Sequence, residues 1–329
     1  MDRTRQVRIL ISSVGRRVEL VQAFRRAARR LRVPVKVYGT DVTMLAPAMH
    51  HVDEPVLMPP IRRRDFLDAL LAVVTRHRID MLVPTIDTEL PKLAAARARL
   101  GDEGCTALVA DRRVVRVCRD KLATDRLFAR HGIDVPQTWA ADQLPPIRSM
   151  SFPCFLKGRF SSAGKGAVRI DDGESLRFHL ARARQPIVQE YLRGGEYTQD
   201  VYCGLDGQVR CVVSRQRLEI RSGEVQKARV VKDPRLIELS RRVVEVLGDC
   251  VGVITVQCIV GPRGRISVLE VNPRLGGGVP LSIHAGADFP RWLLAELLGR
   301  RARVGQDCVR DGVYMLRYDQ SVFWHPASR

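Results

Sequence analysis

Two strand-forming segments near the C-terminal end constrain this chain most. Residues 252–260 are dense in β-branched side chains and stop at the turn Gly261-Pro262-Arg263-Gly264; residues 265–274 read as the returning strand. Successive strand residues face opposite sides, so Glu270 and Asn272 share a face. A hairpin loop with an even number of residues puts Gln257 on that face too. One carboxylate and two amide oxygens then converge, with Arg274 just beyond. Hard oxygen donors of this kind suit Mg2+ that is also held by nucleotide phosphates. The same alternation describes an ordinary solvated hairpin face, so the remaining segments decide between the two.

A chain of 329 residues exceeds one ordinary core, and two or three domains are expected. No apolar run is long enough to span a bilayer, and residues 1–5 lead straight into a strand pattern without a signal segment. The eight cysteines are dispersed, with no Cys-x-x-Cys pair, as expected of core residues in a reducing cytoplasm. The formal charge of +19 raises a nucleic-acid partner as an alternative. Only seven of the 55 basic residues are lysines, the arginines are spread along the chain, and no recognition motif accompanies them, so nucleic acid is not the expected partner.

Strand and helix signals alternate over the first third, as in a parallel sheet: strands at 7–12, 35–38, 81–84 and 106–110, helices at 15–31 and 64–77. This is a Rossmann-like arrangement without the dinucleotide fingerprint, since the first turn carries one glycine where that motif needs three. A connector helix over 111–131 ends at Gly132. Antiparallel strands follow at 152–157, 167–170, 187–191, 196–203 and 209–213, with helices at 235–247 and 289–298.

Three segments carry chemistry. Lys157-Gly158 ends a strand and precedes a loop, 161–166, with Ser161, Ser162, Gly164, Lys165 and Gly166. Small residues let backbone N–H groups approach phosphate oxygens, and Lys157 can reach them as a point charge; an ordinary flexible hairpin is the alternative. Gln189-Glu190-Tyr191-Leu192 can hold an adenine edge through backbone groups and the Gln189 amide, and Glu196 can accept from ribose hydroxyls. In parallel sheets the crevice lies at the C-terminal strand ends, which brings Ser13, Arg16, Arg17, Asp41, Asp87 and Glu89 near it. An arginine of the first loop would bind a substrate carboxylate or phosphate, and Asp87 or Glu89 an ammonium; surface charge and helix capping are the competing readings. Arg221 and Lys227 would reach the γ-phosphate or acyl group.

The order of the pieces, Lys121 in the connector, Lys157 before a glycine loop, an acidic hinge, then Gln257 with Glu270-Val271-Asn272-Pro273-Arg274 and Gly276-Gly277-Gly278, resembles the ATP-grasp superfamily. The similarity is greatest to the branch like the carbamoyl-phosphate synthetase large subunit. The resemblance covers nearly the whole chain. It departs at Gly158, where relatives often carry proline.

The resemblance implies an ATP-grasp architecture, α/β and α+β. A Rossmann-like N-terminal domain spans 1–112 and a connector 113–150. A small antiparallel flap spans 151–190, and a C-terminal mixed α+β domain spans 191–329. It further implies that Lys121 and Lys157 bind ATP phosphates under the 161–166 loop, and that Gln189, Glu190 and Leu192 hold adenine and Glu196 ribose. Gln257, Glu270 and Asn272 would bind Mg2+ (two ions, or Mn2+ instead), and Arg274 would face the transferred phosphoryl group. The expected activity is an ATP-dependent ligase that activates a small carboxylate as an acyl phosphate and joins it to an amine, in the cytoplasm and compatibly with a homodimer. A single-module bicarbonate or carbamate synthetase is the alternative within the family.

Overall fold

The structure, a computed structural model, describes residues 5–162, 164 and 166–326. The N-terminal sheet contains β1 (Val7–Ser12), β2 (Val35–Asp41), β3 (Glu54–Leu57), β4 (Met81–Pro84) and β5 (Thr106–Ala107). All pairings are parallel, in the order β3-β2-β1-β4-β5. Four helices, α1 (Val18–Leu31), α2 (Phe66–His77), α3 (Leu90–Ala95) and α4 (Arg97–Asp102), accompany it. The middles of β1 (Ile9, Leu10, Ile11) and β4 (Met81, Leu82, Val83) are apolar and fully buried because both faces are covered.

The connector is two helices, α5 (Arg112–Arg119) and α6 (Lys121–Arg130), where one was expected. Asp120 breaks them: its backbone is extended and its carboxylate accepts from the Ala123 N–H, capping α6. The flap sheet is formed by β6 (Thr138–Ala140), β7 (Cys154–Gly158), β8 (Val168–Ile170) and β9 (Pro186–Glu190), antiparallel in the order β6-β9-β7-β8, with α7 (Gly173–Leu180). Its edge strand β6 thus comes from within the segment expected as connector. Cys154, Leu156, Ile170, Leu176 and Val188 make a small core of the flap's own.

The third sheet contains β10 (Gly195–Cys203), β11 (Val209–Arg221), β12 (Glu224–Val230), β13 (Gly252–Val260), β14 (Ile266–Asn272) and β15 (Tyr314–Leu316). Its order is β14-β13-β10-β11-β12-β15, antiparallel throughout. Helices α8 (Pro234–Leu247), α9 (Val279–His284) and α10 (Phe289–Leu297) pack around it. β11 extends well past its expected end at 213. It turns through Ser222 and Gly223, both at positive φ (51° and 78°), which gives the two-residue hairpin connection that right-twisted strands favour.

The first and third sheets share both large cores. Ile9, Ile11 and Phe24 pack in one cluster with Tyr202, Phe289 and Trp292, and Leu10, Leu70 and Leu82 in the other with Val212, Val243 and Ile254. Only the flap stands on separate packing. Among the described residues no helix is long and apolar enough to cross a membrane.

Candidate active site

The hairpin delivers the expected face. Gln257 lies directly opposite Glu270 and Thr255 opposite Asn272, with one extra residue of β14 absorbed by a bulge between Glu270 and Val268. The Asn272 amide donates to Glu270 Oε1 at 3.1 Å. β10 and β11 extend this face with Glu196, Thr198 and Arg217. Arg217 Nη1 donates to Glu196 Oε2 at 3.0 Å and to Gln257 Oε1 at 3.3 Å. Among the described residues no three His, Cys, Asp or Glu side chains gather as a metal cluster. One carboxylate flanked by amide oxygens suits a hard cation that takes its remaining ligands from phosphate and water.

Opposite this face stand the two lysines, Lys121 on the first turn of α6 and Lys157 on β7. Burial lowers both ammonium pKa values, and the Glu270 carboxylate opposes that shift at each. Lys121 donates to the Ser161 carbonyl. Asp125, one turn along α6 from Lys121, is pushed up to about 6 by burial, against the pull of Thr138, Lys157 and Gln189. Gln189 Nε2 donates to Asp125 Oδ2 (3.1 Å) and Thr138 Oγ1 (2.8 Å), so the amide is held by its nitrogen. Gln189 is on the same face of the flap sheet as Lys157, away from the flap core.

The hinge and loop side chains are mostly engaged within the protein. The Glu190 carboxylate accepts from Arg265 (3.0 Å) and the Gln137 N–H (3.2 Å), and its own N–H donates to the Gln137 carbonyl at 2.8 Å. Leu192 follows at the half-buried end of the hinge. Ser161 Oγ donates to the Gly158 carbonyl, and Ser162 Oγ accepts from Arg119. Gly164 and Gly166 take left-handed φ values of 66° and 71°. Lys165 lies outside the described residues. A cleft of about 750 Å3 opens beside the hinge, lined by Trp139, Phe152, Glu190, Leu192 and Arg265, but neither lysine nor Glu270 lines it. The charge convergence, not this cleft, locates the site.

Several expected substrate residues turn out to be scaffold. Glu89 is fully buried and accepts from the Thr85 N–H and from Ser13 Oγ, both at 3.1 Å. Ser13 itself sits at φ 49° and is held by that bond. Asp41 accepts from the Gly15 and Val42 N–H groups, so it fixes the first loop. Arg16 points to solvent, whereas Arg17 turns inward. Lys227 does not reach the site: it faces the other side of β12 from Ala228, which opposes Arg217, and pairs at 2.6 Å with Glu219 in solvent. Arg221 is at the exposed end of β11, beside the turn.

Arg274 donates to Asp87, bridging β14 to the loop after β4. Two buried atoms there have no hydrogen-bond partner among the described residues, Asp87 Oδ1 and Arg274 Nε. Sequence reasoning missed Arg217, Asp125, Thr138, Glu224 and Arg317. Arg217 was accessible in principle, since extending β11 with strict alternation puts Val213, Arg215 and Arg217 on one face. Arg317, in the tail, had no local signal.

This architecture, a nucleotide-type cleft between a small flap and a larger antiparallel sheet, with a parallel-sheet domain in front, is the ATP-grasp fold. The chain is similar to the ATP-grasp superfamily in two separate segments. Residues 182–318 match the family described as "ATP-grasp in the biosynthetic pathway with Ter operon", and residues 9–108 match the PylC-like N-terminal domain. It is 29% identical over 174 residues to the formate-dependent phosphoribosylglycinamide formyltransferase of Parasynechococcus marenigrum (strain WH8102), covering 49% of this chain and 43% of that protein. The Ignicoccus hospitalis enzyme of the same name is 25% identical over 270 residues, covering 74% and 64%. The chain thus spans less than two thirds of the length of these curated relatives.

Solved structures agree on the fold. N5-carboxyaminoimidazole synthetase from Staphylococcus aureus with ADP superposes with a TM-score of 0.72 at 17% identity, covering 93% of this chain and 81% of that one. The L-amino acid ligase from Bacillus licheniformis gives 0.70 at 18% identity, covering 94% and 78%.

Proposed function

We propose that this protein is an ATP- and Mg2+-dependent ligase that activates a small-molecule carboxylate as an acyl phosphate and joins it to an amine, releasing ADP and phosphate. The observation that carries the reading is the convergence of Lys121 and Lys157 on Glu270 from three separate elements. Glu270 is the carboxylate that acts most strongly on both buried cations, while Asp125 and Asp87 nearby are engaged by Thr138, Gln189 and Arg274, and triphosphate would supply further negative charge. The curated relatives named above are formyltransferases that use formate, a small carboxylate, which supports the substrate class.

Each residue's part follows from its place. Lys121 and Lys157 neutralise phosphate charge under the 161–166 loop. The hinge backbone at Glu190 and Leu192, with the Gln189 amide, holds the base, and Glu196 the ribose. Glu270, Asn272 and Gln257 would hold Mg2+, or Mn2+ in its place, as one ion or two; bound there, the metal supplies charge neutralisation and orientation. Arg274, in the role first expected of it, and Arg217, in the role first expected of Lys227 and Arg221, flank that face and stabilise charge on the transferred group. Positioning and fixed charge provide the acceleration, and no protein nucleophile is needed. All eight cysteines are free thiols, which supports a reducing, cytoplasmic setting.

The test is an ATP-consumption screen against pooled carboxylic acids and amines, with mass spectrometry on each hit. ADP with phosphate and an amide product is the expected result. AMP with pyrophosphate, or ATP turnover without any acid dependence, would exclude this chemistry.

A further inference from the structure

Where the N-terminal domain meets the third sheet, three guanidiniums crowd together: Arg17 from the loop before α1, Arg274 after β14 and Arg317 just after β15. Each of the others acts electrostatically on Arg17. Among the described residues the carboxylates that oppose the charge of Arg17 are Asp87 and Glu224. Asp87 is taken by Arg274, and Glu224 by Arg317 at 3.1 Å. Arg17 is left with Glu224 at 3.8 Å, too far for a hydrogen bond, and its guanidinium makes none with the described residues although only 19% of its side chain is exposed. A guanidinium has five N–H donors in a planar fork, and leaving it largely desolvated and unpaired among like charges is costly. An oxyanion would satisfy all of these groups at once.

The floor of this space is built to admit something small. Arg317 donates to the Gly277 carbonyl, and a Cβ on Gly277 would come within 2.7 Å of Arg17 Nη1. The glycine therefore lets the backbone lie against the arginines. On the nucleotide side the sequence of groups is Glu270, Asn272, Arg274, then Asp87 with its unpartnered Oδ1. An amine that hydrogen-bonds Asp87 Oδ1 stands next to Arg274, and the rest of its molecule extends toward Arg17.

We propose that the amine substrate carries its own oxyanion, a carboxylate or a phosphate, gripped by Arg17 and the tail-borne Arg317 while Asp87 Oδ1 receives its nitrogen. The inference rests on the ligase reading for what becomes of that amine, but the binding site stands on its own geometry. The bonds formed are charge-assisted and reversible, and no covalent step belongs to the site itself. The tail beyond 313 is then part of the active site, because β15 pairs with β12 and so places Arg317.

The test is calorimetric titration of the full chain, with and without Mg·AMP-PNP, using matched amines: the proteinogenic L-amino acids and O-phosphoethanolamine, each against its counterpart lacking the oxyanion, such as ethylamine and ethanolamine. At least one oxyanion-bearing amine is expected to bind about 10- to 100-fold more tightly than its neutral counterpart, the scale of hydrogen bonds to a charged group. Preference for an amino acid or for O-phosphoethanolamine identifies the oxyanion. Arg17→Ala and Arg317→Ala should each weaken that ligand by about tenfold or more, with Arg17→Lys intermediate because the bidentate fork is lost. Circular dichroism of each variant reports whether it is folded. Equal binding of a neutral counterpart, no binding by any oxyanion-bearing amine, or full affinity in folded Arg17→Ala would overturn the proposal. A lost Mg·AMP-PNP signal with amine binding intact would instead count against the ligase reading alone.

Discussion

Glu89 was expected in the cleft and is instead sealed behind it. Burial pushes its carboxyl up to about 7 from an ordinary 4.5, against the Thr85 N–H and the serine hydroxyls that favour the ionised form. Between those two values the folded chain keeps a proton that the unfolded chain has lost. The stability tied to protonated Glu89 is therefore full below about 4.5 and is lost as pH rises through about 7. Glu89→Gln preserves an acceptor for the backbone and removes the ionisation. Its unfolding free energy relative to wild type should rise by about 2–3 kcal/mol between pH 5 and pH 8, read from urea titrations at both; a constant difference would show that Glu89 ionises freely in the fold. A second residue-scale contrast separates site from surface. Glu270→Gln should slow acid-dependent ADP formation at least about 100-fold, by the scale of a lost electrostatic stabiliser. Lys227→Ala, paired with Glu219 in solvent, should stay within a factor of about two of wild type.

At the scale of elements, the glycine run after Arg274 is explained by what lies under it. A Cβ on Gly278 would sit 2.2 Å from Arg215 Nη1. Arg215 cannot yield, because it is buried and forms two bonds, 2.8 and 2.9 Å, to Asp200, which also accepts from Ser282. Gly278→Ala should therefore cost about 3–5 kcal/mol, the penalty of breaking a buried ion pair, measured by urea denaturation; a loss under about 1 kcal/mol would mean that the loop moves aside instead. Strands whose side chains alternate or are uniformly apolar, such as β1, β4 and β13, were legible in the sequence to within a residue or two. The Gln257–Glu270–Asn272 face came out as expected but not through hairpin parity: five residues separate Val260 from Ile266, and the bulge that skips Leu269 restores the register. The β11–β12 hairpin was missed although its outer half carries a signal: Leu218, Ile220 and Val225 alternate with charged residues on both sides of the Ser222-Gly223 turn, while the expected strand stopped at 213. Ending the strand at 213 left Arg217, Arg221 and Lys227 without a strand register to separate them by face. The edge strands β3, β6 and β15 are short, and their pairing is set by distant partners, which no local pattern records.

For the whole molecule, the unequal sharing of cores sets what can move. The N-terminal domain and the third sheet are fused through two large apolar clusters, while the flap has five fully buried residues of its own. Its loop is tied to the connector by polar contacts only. Arg159 pairs bidentately with Asp120 at 2.6 and 2.7 Å, Arg119 donates to Ser162 Oγ and the Phe160 carbonyl, and Lys121 donates to the Ser161 carbonyl. The last contact uses a cation assigned above to phosphate. Bound triphosphate and the loop carbonyl would compete for the same ammonium, so nucleotide should shift the loop while the fused body stays as it is. Hydrogen exchange can separate these bodies. Adding Mg·AMP-PNP should slow exchange across 156–168 and 188–194, with amides of β1, β4 and β13 unchanged. Arg159→Ala should speed exchange of the same loop in the absence of nucleotide by removing its strongest tether. Uniform protection over all three sheets would mean that the flap is not an independent unit. An unaltered loop in Arg159→Ala would mean that the pair with Asp120 does not hold it.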